Sequence, residues 1–222
     1  MNNIHIEQNT KIGLASKSPR RIEMIDLLGL SFNLLDATKD EPKPLLNESP
    51  LEYSVRSSEF KAINNTNKIN EFVMAADTIV CQENKIFGKP KDNKDASKML
   101  FELNNKYHSV ITTISIFNKK KKSVSSMTKI SEVKFKDWNE TQIINYINNN
   151  IVLDKAGAYA IQDEKNSPVK KFIGCKLNII GLPVCNLIEI LTENKIINKL
   201  NISNENMCTL VKSWQEREGS NP

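Results

Sequence analysis

Short apolar runs alternate along the chain with stretches whose apolar residues recur at helical spacing, the pattern of a mixed α/β protein. KIGLAS (11–16) reads as a buried strand and SPRRIEMIDLLG (18–29) as a helix. Ser18 suits the N-cap of that helix, Pro19 its first turn and Gly29 its end, while Ile22, Ile25 and Leu28, with Met24 beside them, give it an apolar stripe. SFNLLD (31–36) predicts a short strand and TKDEPKPLLNE (38–48) a polar loop. SPLEYSVRSSEFKAIN (49–64) predicts a second helix, with Ser49 as cap, Pro50 next and Glu52 placed to complete a capping box.

FVMAADTIVC (72–81) is a strong strand, and QENK turns it back into KIFGKP as a hairpin. A helix over roughly 92–104 puts Ala96, Met99, Leu100 and Leu103 on one face, and YHSVITTISIF (107–117) follows as a strand. The four consecutive lysines of NKKKKS fall at a hairpin tip before SSMTKISEVKF (125–135), where a solvated turn explains them. Asn139 with Gln142 predicts the cap of a helix in WNETQIINYINNN (138–150). DKAGAYAIQDEKNSPVKKFIG (154–174) reads as loops around a short strand, and GLPVCNLIEILTENKIINKL (181–200) as a closing helix with Val184, Leu187, Ile188 and Leu191 on its apolar face. Beyond about 200 the chain turns polar, a tail with one marginal helix around MCTLVKSW.

Composition narrows the function classes. The 222 residues are enough for one α/β domain with a proper core, and the longest apolar runs fall far short of a membrane span. The N-terminus lacks the basic and apolar regions of a secretory signal, so a cytoplasmic protein with no membrane partner is expected. Cys81, Cys175, Cys185 and Cys208 have no metal-ligand spacing, and His5 and His108 are the only imidazoles, which argues against structural zinc. A net charge of +5, spread along the chain, gives no reason to expect a nucleic-acid partner.

P-loop, dinucleotide and hydrolase-elbow motifs are absent, and His108 in the apolar-flanked YHSV reads as a core or strand-edge histidine. What remains are charged residues at element ends. Arg20 and Arg21 stand in a first helical turn, where the dipole disfavours cations. With Ser16 and Ser18 they form either a solvated pair or an anion cradle. Asp77 interrupts an apolar strand, so it should be paired, metal-bound or at a cleft, unless it starts a bend in an edge strand with Thr78. Lys89 is aimed by a Gly-Lys-Pro turn, Lys155 is either a partner of Asp154 or surface charge, and Gln162 either satisfies backbone groups or reads a base edge. Carboxylates for a divalent metal and cations for a polyphosphate point to phosphoryl or nucleotidyl chemistry.

LASKSPRR (14–21), AADTIV (75–80), GKPKD (88–92) and DKAGAYAIQ (154–162), in this order, closely resemble the motifs of the Maf family of nucleoside triphosphate pyrophosphatases. The resemblance extends through GLSFNLL, the DEP of the acidic loop, ESPLEY, EFKA, the H-x-V-x-T pattern at His108–Thr112 and NIIGLPV, covering roughly 11–195. It implies an α/β fold with an elongated mixed β-sheet flanked by helices around a central nucleotide cleft. One Maf-like pyrophosphatase domain over 1–199 and a polar C-terminal tail over 200–222 are expected. The implied reaction splits a nucleoside triphosphate into the monophosphate and pyrophosphate with Mg²⁺, Mn²⁺ or a similar ion, in a house-cleaning or division-linked role. The rival is a non-catalytic nucleotide-sensing module acting in cell division.

By the same resemblance Asp77 matches the catalytic carboxylate, as base or metal ligand, and Glu41 the carboxylate that helps hold the metal. Lys61, Lys89, Arg20 and Arg21 match the phosphate-facing cations, Ser16 the hydroxyl beside them, and Lys155 a substrate-binding position. Arg20, Thr78 and Gln162 match the residues that mark the branch acting on dTTP and UTP, and an amide complements the O4 and N3–H edge of their bases. A homodimer is left open. LNNKYH stands where the family has Ser-Gly-Arg before its histidine, and ITT lacks the usual Gly, which puts in doubt only that strand or turn.

Overall fold

The computed structural model describes residues 6–36, 41–65, 70–162 and 166–198. The expected tail, His5 and Cys208 lie outside them. Within them, strands β1 (Ile12–Leu14), β2 (Phe32–Leu34), β3 (Phe72–Gln82), β4 (Lys85–Phe87), β5 (Tyr107–Asn118), β6 (Ser123–Phe135) and β7 (Val169–Ile173) form one mixed sheet. Its order is β2-β1-β3-β5-β6-β7, with β4 hairpinned onto β3. β1 is parallel to β2 and β3, and the other pairs are antiparallel.

Side chains alternate across a strand, so β3 serves both faces of the sheet. Met74 and Ala76 join a core with Met24 and Ile25 of helix α1 (Pro19–Leu27), Leu177 and Ile180 of α5 (Lys176–Ile180), and Leu187, Ile188 and Leu191 of α6 (Val184–Glu193). On that same face Val80 and Val110 pack with Ala96, Leu100 and Leu103 of α3 (Asn93–Leu103) and Ile143 and Ile147 of α4 (Glu140–Asn149). The opposite face is covered by α2 (Pro50–Ile63), which buries Ser54, Ser57 and Ser58 instead of bulky apolar groups. Small residues let a helix come close to a sheet. Ser54 Oγ lies 2.8 Å from Thr113 Oγ1, and Ser58 Oγ donates to Thr113 O at 3.1 Å.

Helix ends follow the sequence signals with two exceptions. Ser49–Glu52 and Asn139–Gln142 form reciprocal capping boxes, and Gly29 takes φ +69° after α1. Ser18 starts α1 without a side-chain cap, and its own N–H is instead bonded to Ser16 Oγ at 3.3 Å. The closing helix is shorter than the sequence suggests. Gly181, at φ +121°, separates α5 from α6, which begins at Val184 and ends at Glu193. The break follows from Gly181 and Pro183, because a glycine with positive φ stops one helix and proline starts the next.

Pairing along β3 leaves a notch. β1 pairs with it only at Val73 and Met74, and β4 only from Val80 onward. Between them, residues 75–79 have β5 on one side and no strand on the other among the described residues. Asp77 and Thr78 lie in this notch. The edge-strand bend is therefore not the explanation of Asp77, since β3 is interior at both ends and open only there.

Candidate active site

The notch opens into a cavity of about 600 Å³ whose lining includes Ser16, Arg20, Arg21, Glu41, Lys61, Asp77, Thr78, Lys89, Lys155 and Gln162. The ten positions named from sequence come from six separate segments of the chain and meet in this one cleft.

Asp77 is 8% exposed and projects toward α2, where Lys61, in the helix's last turn, meets it. Lys61 Nζ stands 2.5 Å from Asp77 Oδ1 and 3.1 Å from Glu41 Oε1, so one ammonium holds two carboxylates. Glu41 is itself well exposed, and its loop is tied down nearby. Arg56 donates to both oxygens of Glu48, at 2.5 and 2.7 Å, and to Lys43 O at 2.8 Å. Hydrogen bonding from Arg56 pulls Glu48 down to about 2. Tyr53 donates its hydroxyl to Pro42 O at 3.0 Å. Burial, then the charges of Asp77 and Glu41, raise the Tyr53 phenol above its ordinary value. The sequence pattern does not single out Tyr53 and Arg56; their place on α2 upstream of Lys61 is the available signal.

Thr78 projects to the other face. Arg21 reaches across to it, donating from Nε to Gly181 O, from Nη1 to Ala76 O and from Nη2 to Thr78 Oγ1, each at 2.8 Å. Three of its five N–H donors are thus committed inside the protein. Arg21 is a clamp joining the open edge of β3 to the α5–α6 junction, more than the free phosphate-facing cation expected beside Ser16. Burial lowers its pKa, and the charges of Asp77 and Glu41 counter that while Arg20 adds to it. Thr78 Oγ1 also lies 2.9 Å from Thr112 Oγ1, which donates to Asn178 O at 3.0 Å.

Arg20 Nη1 lies 3.2 Å from Asp154 Oδ2, and Lys155 Nζ 2.5 Å from Asp154 Oδ1. Burial opposes the charge of Asp154, but hydrogen bonding and charge from Lys155, with Arg20, outweigh it and hold the carboxyl below its ordinary value. Lys89 is exposed, and its turn is stitched to the next segment by Gly157 N–H donating to Gly88 O at 3.1 Å. That next segment is the 3-10 turn Ala156–Ala158, where Gly157 (φ +70°) and Ala158 (φ +61°) take left-handed conformations.

His108 is 3% exposed behind the cleft, with Nε2 2.9 Å from the Tyr159 hydroxyl and its ring edge-on to Phe135 and Tyr159. Burial pushes it down to about 4 and pushes the Tyr159 phenol up. It supports the wall that Tyr159 forms and does not reach the carboxylates.

The chemistry of the cleft is that of a polyanion site: six cationic side chains and three carboxylates line it. This is a mixed α/β protein with a cation-lined cleft at a break in its sheet. The profile of the Maf family, described as Maf-like protein, matches residues 11–194, and the chain belongs to that family. A dTTP/UTP pyrophosphatase from Thermosipho africanus is 39% identical over 85% of this chain and 95% of its own length. One from Dehalococcoides mccartyi (strain BAV1) is 34% identical over 92% of each chain. A solved HAM1 protein from Coxiella burnetii aligns with TM-score 0.38 and 16% identity over 57% of this chain and 73% of that one. Among the described residues no helix is long and apolar enough to cross a membrane.

Proposed function

We propose that this protein hydrolyses dTTP and UTP to the nucleoside monophosphate and pyrophosphate. The strongest support is the buried Asp77 carboxylate held by Lys61 in a cleft that also gathers Glu41, Lys89, Arg20 and Lys155. Relatives named dTTP/UTP pyrophosphatases that align with 85–92% of the chain supply the substrate class.

Water adds to the α-phosphorus, a new P–O bond forms, and the bond from the α-phosphorus to the bridging oxygen of the β-phosphate breaks. Asp77 Oδ takes the proton of the attacking water, and Lys61 holds that carboxylate in place. Charge that develops on the departing pyrophosphate is met by Lys89, Arg20 and Lys155. Arg21 fixes the edge of β3 and the hydroxyl of Thr78, and Gln162, which also lines the cleft, is the amide matched to the O4 and N3–H edge of uracil or thymine.

The donor set suits a hard divalent ion. Mg²⁺ is commonly bound by one or two carboxylates, with phosphate oxygens and water completing its shell. Asp77 and Glu41 are two carboxylates that already converge on one cation, and no cluster of three or more His, Cys, Asp or Glu occurs among the described residues. Glu41 and Asp77 would hold Mg²⁺ or Mn²⁺, which when bound supplies positive charge to the phosphoryl oxygens.

The test is pyrophosphate release from a panel of dTTP, UTP, CTP, 5-methyl-UTP and 7-methyl-GTP with Mg²⁺. Release is expected first from dTTP and UTP and should be lost in Asp77→Asn. Full turnover by that variant overturns the assignment.

A further inference from the structure

Two of the three carboxylates in the cleft, Asp77 and Glu41, share Lys61. The third, Asp154, stands between two other cations, 3.2 Å from Arg20 Nη1 and 2.5 Å from Lys155 Nζ. Arg20 belongs to the first turn of α1 and Lys155 to the turn before Ala156, so Asp154 joins segments far apart in the chain. Among the described residues neither cation has another carboxylate partner. Lys155 Nζ also donates to Ile151 O.

The Asp154 side chain is 44% exposed, against 23% for Arg20 and 15% for Lys155, and all three line the cleft, where an entering anion reaches them. A carboxylate and a phosphate are interchangeable partners for a guanidinium and an ammonium, and a phosphate brings more charge and more acceptor oxygens. An anion that enters the cleft thus meets two cations already carrying an exchangeable anion of the protein's own.

We propose that Asp154 is an internal counter-anion that holds Arg20 and Lys155 ready ahead of substrate binding and yields them to the polyphosphate of the substrate. Its charge sets how tightly polyphosphate is held and, through that, how readily pyrophosphate leaves. Asp154 is a positioning residue, acting through Arg20 and Lys155 and making no covalent step. The inference rests on reading the cleft as a triphosphate site.

Titration calorimetry of the full-length protein with inorganic pyrophosphate tests it, alongside steady-state turnover of UTP. Asp154→Asn is expected to bind pyrophosphate about tenfold more tightly, near the water-screened end of the range for a unit charge a few ångströms away, as the 44% exposure of Asp154 implies. KM for UTP should fall in parallel, and kcat should not rise. Asp154→Ser should tighten binding likewise, and Asp154→Glu should restore the wild-type affinity. Unchanged or weaker binding in the Asn and Ser variants overturns the proposal, as does a Glu variant that tightens as much as Asn. If the calorimetric pattern holds while the wild type turns over no triphosphate, the pyrophosphatase reading fails and the role of Asp154 stands. With turnover present and the calorimetry flat, the reverse holds.

Discussion

Lys61 Nζ stands 2.5 Å from Asp77 Oδ1, joining the last turn of α2 to the middle of β3 at the point where β3 has lost β1 and not yet gained β4. Because the ammonium also reaches Glu41, removing it leaves two carboxylates facing one another with no cation between them. Lys61→Met should therefore destabilise the metal-free protein by about 3 kcal/mol, the usual result of stripping one partner from a buried pair. Mg²⁺ should recover part of the loss, since the two carboxylates then have a cation to share. Thermal melts with and without Mg²⁺ read this directly, and a melting temperature that Mg²⁺ does not move argues against Glu41 and Asp77 as its ligands.

The loop that carries Glu41 depends on Arg56, whose guanidinium grips Glu48 and the carbonyl of Lys43. Arg56→Ala frees that loop without touching the cleft. The expected outcome is a several-fold rise in the Mg²⁺ concentration for half-maximal turnover, with kcat at saturating Mg²⁺ within about threefold of wild type, as lost positioning and intact chemistry predict. A metal titration of activity measures both.

Arg21 makes three charge-assisted hydrogen bonds that a lysine cannot reproduce, because an ammonium has no planar fork. Arg21→Lys should lower stability by about 2–3 kcal/mol, the range for losing bonds to a buried charged donor. It should also loosen discrimination among the bases, since Thr78 loses the guanidinium and keeps only its neutral partners such as Thr112. Denaturant unfolding and the ratio of kcat/KM for UTP over CTP give the two readouts.

His108 supplies a pH signature of stability. Its folded pKa, about 4, lies below the ordinary histidine value of 6.5, so between the two the unfolded chain binds the proton more readily. Stability from this group is fully present above about pH 6.5 and is lost as pH falls toward 4, at most about 3 kcal/mol in all. His108→Phe, packed against Phe135 and Tyr159, should flatten the melting temperature between about pH 7 and pH 4.5 relative to wild type. An unchanged slope would place the acid sensitivity elsewhere.

Much of the architecture is legible in the amino-acid sequence. Strand-forming runs, the two capping boxes and the glycine ending α1 are local signals, and local physics decides them. Ser16, Arg20, Arg21, Lys89 and Lys155 are legible as polar or charged residues at element ends and Asp77 as a carboxylate inside an apolar strand, whereas Glu41 and Lys61 are reached only through the resemblance to the Maf family. Long-range geometry is not legible. Nothing near Arg21 in sequence reveals that its guanidinium is occupied by Ala76, Thr78 and Gly181, since those partners come from β3 and the α5–α6 junction. Ser18 carries the sequence of a cap, yet its side chain makes no cap bond and its own N–H donates to Ser16 Oγ, an arrangement that composition does not reveal. The burial of Ser54 and Ser58 is likewise not apparent in the sequence of α2, since their partner Thr113 comes from β5 in the sheet beneath.

In the proposed reaction Asp77, held by Lys61, activates water against a pyrimidine nucleoside triphosphate. Release of pyrophosphate from UTP and dTTP by the purified full-length protein with Mg²⁺, compared with Asp77→Asn, tests that step most directly. Stoichiometric pyrophosphate and nucleoside monophosphate from the wild type, with turnover reduced by at least about a hundredfold in the variant, are predicted. Release of inorganic phosphate with nucleoside diphosphate instead, or equal turnover by both proteins, would contradict this mechanism.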